Sequence, residues 1–188
     1  MPRTREFDID EALDAAIELL WRQGYAGTSV RQLCEAMGIQ PGSFYAAFES
    51  KDACFRRALA RYTEVQLPRL NAGPAAIRAW FRLITATSRR GKGCLLVNSA
   101  VESPQLDTLS QAEISARLRA LEAFFARCLE GRSSARADAE LLAATVVSIH
   151  VMSRSGASPA KLRRIAGHAM ALVGVDAEAE SVAQAGVG

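Results

Sequence analysis

Gly38 constrains this chain most, because of what stands on either side of it. Before it, Val30, Leu33, Cys34 and Met37 recur at i, i+3, i+4 and i+7 behind Thr28, which predicts a short helix with one apolar stripe and a threonine N-cap. A glycine just past the last periodic residue takes the left-handed conformation without a Cβ penalty, and Ile39 behind it can pack back on the helix it has left. Pro41 then stands where a second helix begins, at the position whose missing N–H costs nothing. Phe44 and Phe48, spaced i, i+4, share the buried face of that helix, while Gln40, Ser43, Tyr45 and Ala46 occupy the other. The exposed set is small or hydrogen-bonding, which lets a helix lie close in a DNA major groove. Residues 28–51 therefore read as a helix-turn-helix.

At these residues the chain resembles the DNA-binding domain of the TetR family of transcriptional repressors. Thr28, Gly38, Tyr45, Phe48 and Lys51 stand where the family has its threonine, turn glycine, tyrosine, phenylalanine and lysine. The resemblance implies that Tyr45 and Lys51 touch phosphates and that Thr28 and Arg31 anchor the first of the two helices on the backbone. It places Gln40, Pro41, Gly42 and Ser43 near base edges. Ala46 and Ala47 depart from the pattern, since many members carry an arginine or asparagine and then a histidine there. The resemblance also implies a dimer on palindromic operator DNA, released by a small-molecule or oxidant effector.

Abundant alanine and leucine and the lack of strand-like alternation predict an all-α fold. The expected division is a helix-turn-helix DNA-binding domain over 1–50 and a helical effector-binding and dimerisation domain over 51–188, with a helix over 51–67 linking the two. Asp8 and Glu11 have capping-box spacing, and Ile9, Leu13, Ala16, Ile17 and Leu20 carry a supporting helix to Gly24. Charge does not carry the DNA reading: residues 1–63 hold eight Lys or Arg against nine Asp or Glu. Arg3 and Arg5 form a basic arm, read either as further phosphate contacts or as a solvated terminus. No run is apolar enough for a membrane span, and Met-Pro-Arg-Thr-Arg is not the start of a signal peptide, so the cytoplasm is the expected location. Four cysteines scattered singly argue against disulfides and a zinc site.

Beyond a turn-rich break at Asn71–Pro74, helical runs are predicted over 74–89, 94–102, 105–130, 138–154 and 159–173. The basic run 89–93 reads as a solvated loop; a phosphate site lacks the strand and the spacing it needs. Residues 93–102, Gly-Cys-Leu-Leu-Val-Asn-Ser-Ala-Val-Glu, resemble the sixth-helix segment of one TetR branch, in which some members sense electrophiles or oxidants through a cysteine. Cys94 at a helix start near Arg89, Arg90 and Lys92 has the surroundings of a reactive thiol; a buried cysteine acting as a small hydrophobe is the other reading. Trp80, Phe81, Phe124 and Phe125 are candidate effector-pocket lining, or simply core. The last two helices look too apolar to face water, so Ile149, Leu162, Ile165 and Ala169 are expected at a dimer interface, as the family's final four-helix bundle implies. His150 and His168 read as core or interface groups, and the chain after Val175 as a frayed tail. No cofactor, metal or enzymatic activity is expected. A thiol-dependent enzyme built on Cys94, or a dimerisation module without DNA binding, are the alternatives.

Overall fold

The computed structural model describes residues 7–66, 71–86 and 93–175, and among these every regular element is helical. In order they are α1 (Ile9–Gln23), α2 (Val30–Met37), α3 (Pro41–Phe48), α4 (Lys51–Gln66), α5 (Pro74–Ile84), α6 (Leu95–Val101), a 3-10 turn (Ser103–Gln105), α7 (Thr108–Cys128), α8 (Ala135–Arg154) and α9 (Pro159–Leu172). The all-α expectation holds. No described helix is long and apolar enough to cross a membrane. The arm at Arg3 and Arg5, the basic residues Arg89, Arg90 and Lys92, and the tail beyond Val175 lie outside the described residues.

Most helix ends follow local chemistry. The Asp8 carboxylate accepts from the N–H groups of Asp10 and Glu11, and Gly24, at φ 78°, closes α1. Three expected ends move. Helix α5 stops at Ile84 rather than residue 89, because the Thr85 hydroxyl takes the Phe81 carbonyl at 2.8 Å and the last bonds tighten to i→i+3 spacing. Helix α7 starts at Thr108 rather than residue 105, since Asp107 caps it by accepting from the Ser110 N–H at 2.8 Å. Helix α8 begins three residues before Asp138, which instead accepts from the Ser134 hydroxyl at 2.7 Å inside the first turn.

Two compact units result: Met1–Pro68 with Cys94–Arg117, and Arg69–Gly93 with Leu118–Gly188. This division differs from a cut between 50 and 51. Helix α4 packs on α1, and α6 packs on both, so the linking helix belongs with the helix-turn-helix. In this first unit Leu20, Leu33, Phe44, Phe48, Phe55, Leu59 and Leu95 are fully buried anchors. Arg61 ties α4 to α1 through two bonds to Asp14, 2.6 and 2.7 Å long, and this bonding holds the Asp14 carboxyl below its ordinary range. Arg56 reaches Asp107 at 2.8 Å, and Arg117 bonds the Thr63 hydroxyl.

The second unit packs α5, α8 and α9 with the latter part of α7 around one core. Ile149 (0% exposed), Leu162 (3%) and Ala169 (7%) are buried within their own chain, and Ile165 packs against the same core. Ile149, Leu162 and Ala169 are thus covered by their own chain, and Ile165 is covered in part. Periodicity identifies an apolar stripe on a helix but not which body covers it. The stripe left uncovered on α8 runs Leu141, Ala144, Ser148, Val151; on α9 the outward face carries Arg164, His168 and Leu172. His150 is buried.

Candidate nucleic-acid interface

The turn before α2 assigns the two neighbouring hydroxyls different tasks. Ser29, not Thr28, is the N-cap: its hydroxyl accepts from the Gln32 N–H at 3.2 Å while the Gln32 side chain accepts from the Ser29 N–H at 2.8 Å. This is a reciprocal capping box, and Ser-x-x-Gln was its signal in the sequence. Thr28 is 1% exposed and donates its hydroxyl to the Gly24 carbonyl at 2.6 Å. It braces the turn out of α1, and its side chain presents no surface to a phosphate. Arg31 is outward, paired with the exposed Glu35 at 2.9 Å. Such i, i+4 pairs contribute about 0.3–0.5 kcal/mol, little enough for a phosphate to displace the carboxylate.

Gly38 takes the left-handed conformation, φ 67°, and the Ile39 N–H reaches back to the Cys34 carbonyl at 3.0 Å. Helix α3 then starts with Gln40 as N-cap and Pro41 in its first turn, without a side-chain cap. The amides of Gly42 and Ser43, in the first turn, have no carbonyl inside the helix to reach, so they face outward. Gln40, Pro41 and Gly42 are exposed, Ser43 is half-buried, and Tyr45 is 53% exposed. A Cβ placed on Gly42 would meet nothing within 4 Å. Gly42→Ala is thus expected to stabilise the free protein by about 0.5–1 kcal/mol through helix propensity. It should weaken operator binding if the backbone there approaches DNA closely; thermal melts and gel shifts on one preparation check both.

The far end of α3 is held by a residue the sequence did not flag. Arg57 of α4 donates to the Ala47 carbonyl at 2.9 Å, its guanidinium 5.0 Å from the Phe48 ring centre. Glu49 takes φ 65°, and the Ser50 N–H bonds the Phe48 carbonyl at 2.7 Å, a one-residue reversal that is uncommon off glycine. Ser50 then caps α4 by accepting from the Ala53 N–H at 3.1 Å, which puts Lys51 in its first turn.

Lys51 Nζ lies 3.9 Å from the Tyr25 ring centre, and burial pulls its pKa down. Tyr25 in turn donates to Asp52 at 2.5 Å; burial first, and then this bond, push its phenol well above the usual range, so it stays a donor. Glu102, just past α6, accepts from the Ala26 N–H at 2.9 Å, and a Cβ on Gly24 would overlap its carboxylate. Tyr25, Arg57 and Glu102 therefore position the surface without belonging to it. Gly24, already marked as a helix stop, did have a sequence signal.

Cys94 is the N-cap of α6, half-buried, with the Tyr62 hydroxyl 3.5 Å from Sγ. The other three cysteines are buried, and burial pushes the Cys54 thiol up to about 12. The four aromatics considered for an effector pocket form one cluster, with Trp80 5.2 Å from Phe124 and 5.9 Å from Phe125, and Phe81 6.1 Å from Phe125. Trp80, Phe81 and Phe125 are buried core, and Phe124 packs against it. Among the described residues no group of three or more His, Cys, Asp or Glu could hold a metal ion.

A helix presented by its uncapped start, anchored behind by two phenylalanines and flanked by an outward tyrosine and a positioned lysine, defines a helix-turn-helix DNA-binding regulator. Residues 12–58 match the family model described as bacterial regulatory proteins, tetR family. The Escherichia coli K12 transcriptional repressor ComR is 28% identical over 190 residues, 90% of each chain. The uncharacterised Bacillus subtilis regulator YezE is 33% identical over 113 residues, 54% of this chain and 58% of its own. A cysteine-substituted form of the TetR family regulator CifR, complexed with a 26-base-pair operator duplex, superposes at TM-score 0.78 with 26% identity, over 90% of this chain and 98% of that one. The chain is thus similar to transcriptional regulators of the TetR family, with residues 12–58 matching the family's DNA-binding model. These relatives are regulators, which disfavours the enzyme reading of Cys94.

Proposed function

We propose that the protein acts as a homodimeric repressor that binds an inverted-repeat operator and is released by an effector held in its second unit. The observation that carries the DNA half is the exposed start of α3, Gln40 to Ser43, beside outward Tyr45 and braced Lys51. CifR, complexed with operator DNA, and ComR, named a repressor, support the same direction. In this reading Gln40, Pro41, Gly42 and Ser43 meet base edges, and Tyr45, Lys51 and Arg31 meet phosphates. The apolar stripe Leu141, Ala144, Ser148, Val151 on α8 and the Leu172 face of α9 supply the dimer surface, in place of the residues found inside the core. A functional boundary near residue 50 then separates the parts that touch DNA from those that pair and sense.

Selection from random duplexes is expected to return a dyad with half-sites about 34–36 Å apart, or a multiple of that, and affinity that falls with salt. Selected sequences without a dyad, or affinity indifferent to salt, sink the proposal. The effector must bind the weakly DNA-binding conformation better than the tight one, since equal affinity shifts nothing. Cys94, half-buried against Tyr62, offers an oxidant route to the same end.

A further inference from the structure

The second unit contains a cleft between α5 and α9 of about 330 Å³, at the small end of the range for small-molecule sites. Its cationic side is made by Arg78 and Arg82, one turn apart on α5, and by Arg163 facing them from α9; its apolar wall includes Phe81 and Met170. Among the described residues no carboxylate lines it. Arg78 Nε is buried with no hydrogen-bond partner among the described residues, an arrangement that is costly unless an acceptor is supplied. Gly167, inside α9, also lines the cleft, and a Cβ built on it meets nothing within 4 Å. Alanine would suit the helix better and would fit the protein, so the missing methyl leaves room in the cleft itself. The charge of the whole unit points the same way: its described residues carry ten Lys or Arg against four Asp or Glu, whereas those of the first unit carry seven against twelve.

We infer that this cleft binds a small organic carboxylate, its head group on the Arg78, Arg82 and Arg163 guanidiniums and its apolar body against Phe81 and Met170. Guanidiniums match a carboxylate through paired N–H donors, and such charge-assisted bonds are the strong ones. The wall rewards a hydrocarbon body that a bare inorganic anion lacks. The inference names an effector class for the reading above and rests on that reading only for its consequence at the operator; binding is measured separately.

Calorimetric titration of the full chain with benzoate and hexanoate, against benzamide, hexanamide and inorganic phosphate, tests it. Both acids should bind, and the neutral amides and phosphate should bind about tenfold more weakly or worse. Arg78→Gln and Arg163→Gln should each weaken the acids by about tenfold or more; Arg163 is exposed, so its substitution leaves the fold intact. Gly167→Ala should weaken the acids while the melting temperature holds or rises, a split that a purely structural glycine would not show. Arg136→Gln, on a side chain 94% exposed and not among the cleft's lining residues, should change nothing. Amides binding as well as acids, phosphate binding as tightly as benzoate, unaltered affinity in both arginine variants, or no binding of either acid would each overturn the inference. A parallel gel shift separates the two readings: acids that bind without moving operator affinity remove the effector role and leave the site. Acids that fail to bind a protein that still holds its operator remove the site alone.

Discussion

Phe44→Ala is expected to destroy the DNA-binding unit, and Tyr45→Ala, one residue along, to leave it folded but unable to hold its operator. Phe44 is 0% exposed and lies 5.2 Å from Phe48, centre to centre, under the recognition helix. Truncating a buried phenylalanine destabilises by about 3–5 kcal/mol, a large share of the ~5–15 kcal/mol that a domain possesses. Urea melts should show that loss, with gel-shift affinity disappearing in parallel. Tyr45 is 53% exposed and packs edge-on to Phe44 only through part of its ring, 5.5 Å between centres. Its removal should shift stability by no more than about 1 kcal/mol and lower affinity about tenfold at every operator sequence, as loss of a phosphate contact does. A Tyr45→Ala protein that binds normally, or whose loss depends on base sequence, would remove the phosphate role.

Ile149→Glu and Val151→Glu, two residues apart on α8, should likewise diverge. Ile149 is fully buried in the core of its own subunit, so a carboxylate there has no water and no prepared partner; that costs several kcal/mol. The variant should be unfolded or aggregated at every concentration. Val151 is 46% exposed on the uncovered stripe, where a carboxylate stays hydrated in the separate subunit and is buried only if a second subunit covers it. Val151→Glu combined with Leu141→Glu should therefore melt cooperatively yet scatter light as a monomer, with operator affinity falling because one head reads one half-site. If the double variant remains a dimer at micromolar concentration, the interface lies elsewhere.

The turn at Gly38, the start at Pro41, the cap at Asp8 and the buried pair Phe44 and Phe48 were legible because each depends on atoms within about four residues. Backbone conformation and helical periodicity are local, so spacing alone determines them. The same reasoning misplaced one cap: Thr28 and Ser29 are both good capping residues, and the burial of Thr28 against Gly24 decided between them. On the last two helices it did not show which apolar face the chain itself covers, because two such faces have the same period and only packing distinguishes them. Arg57 on Ala47, Lys51 on Tyr25, Glu102 on Ala26 and the three arginines around the cleft join residues from 10 to about 85 positions apart. No spacing rule reaches across such separations, since the ends of those contacts meet only after the helices have packed.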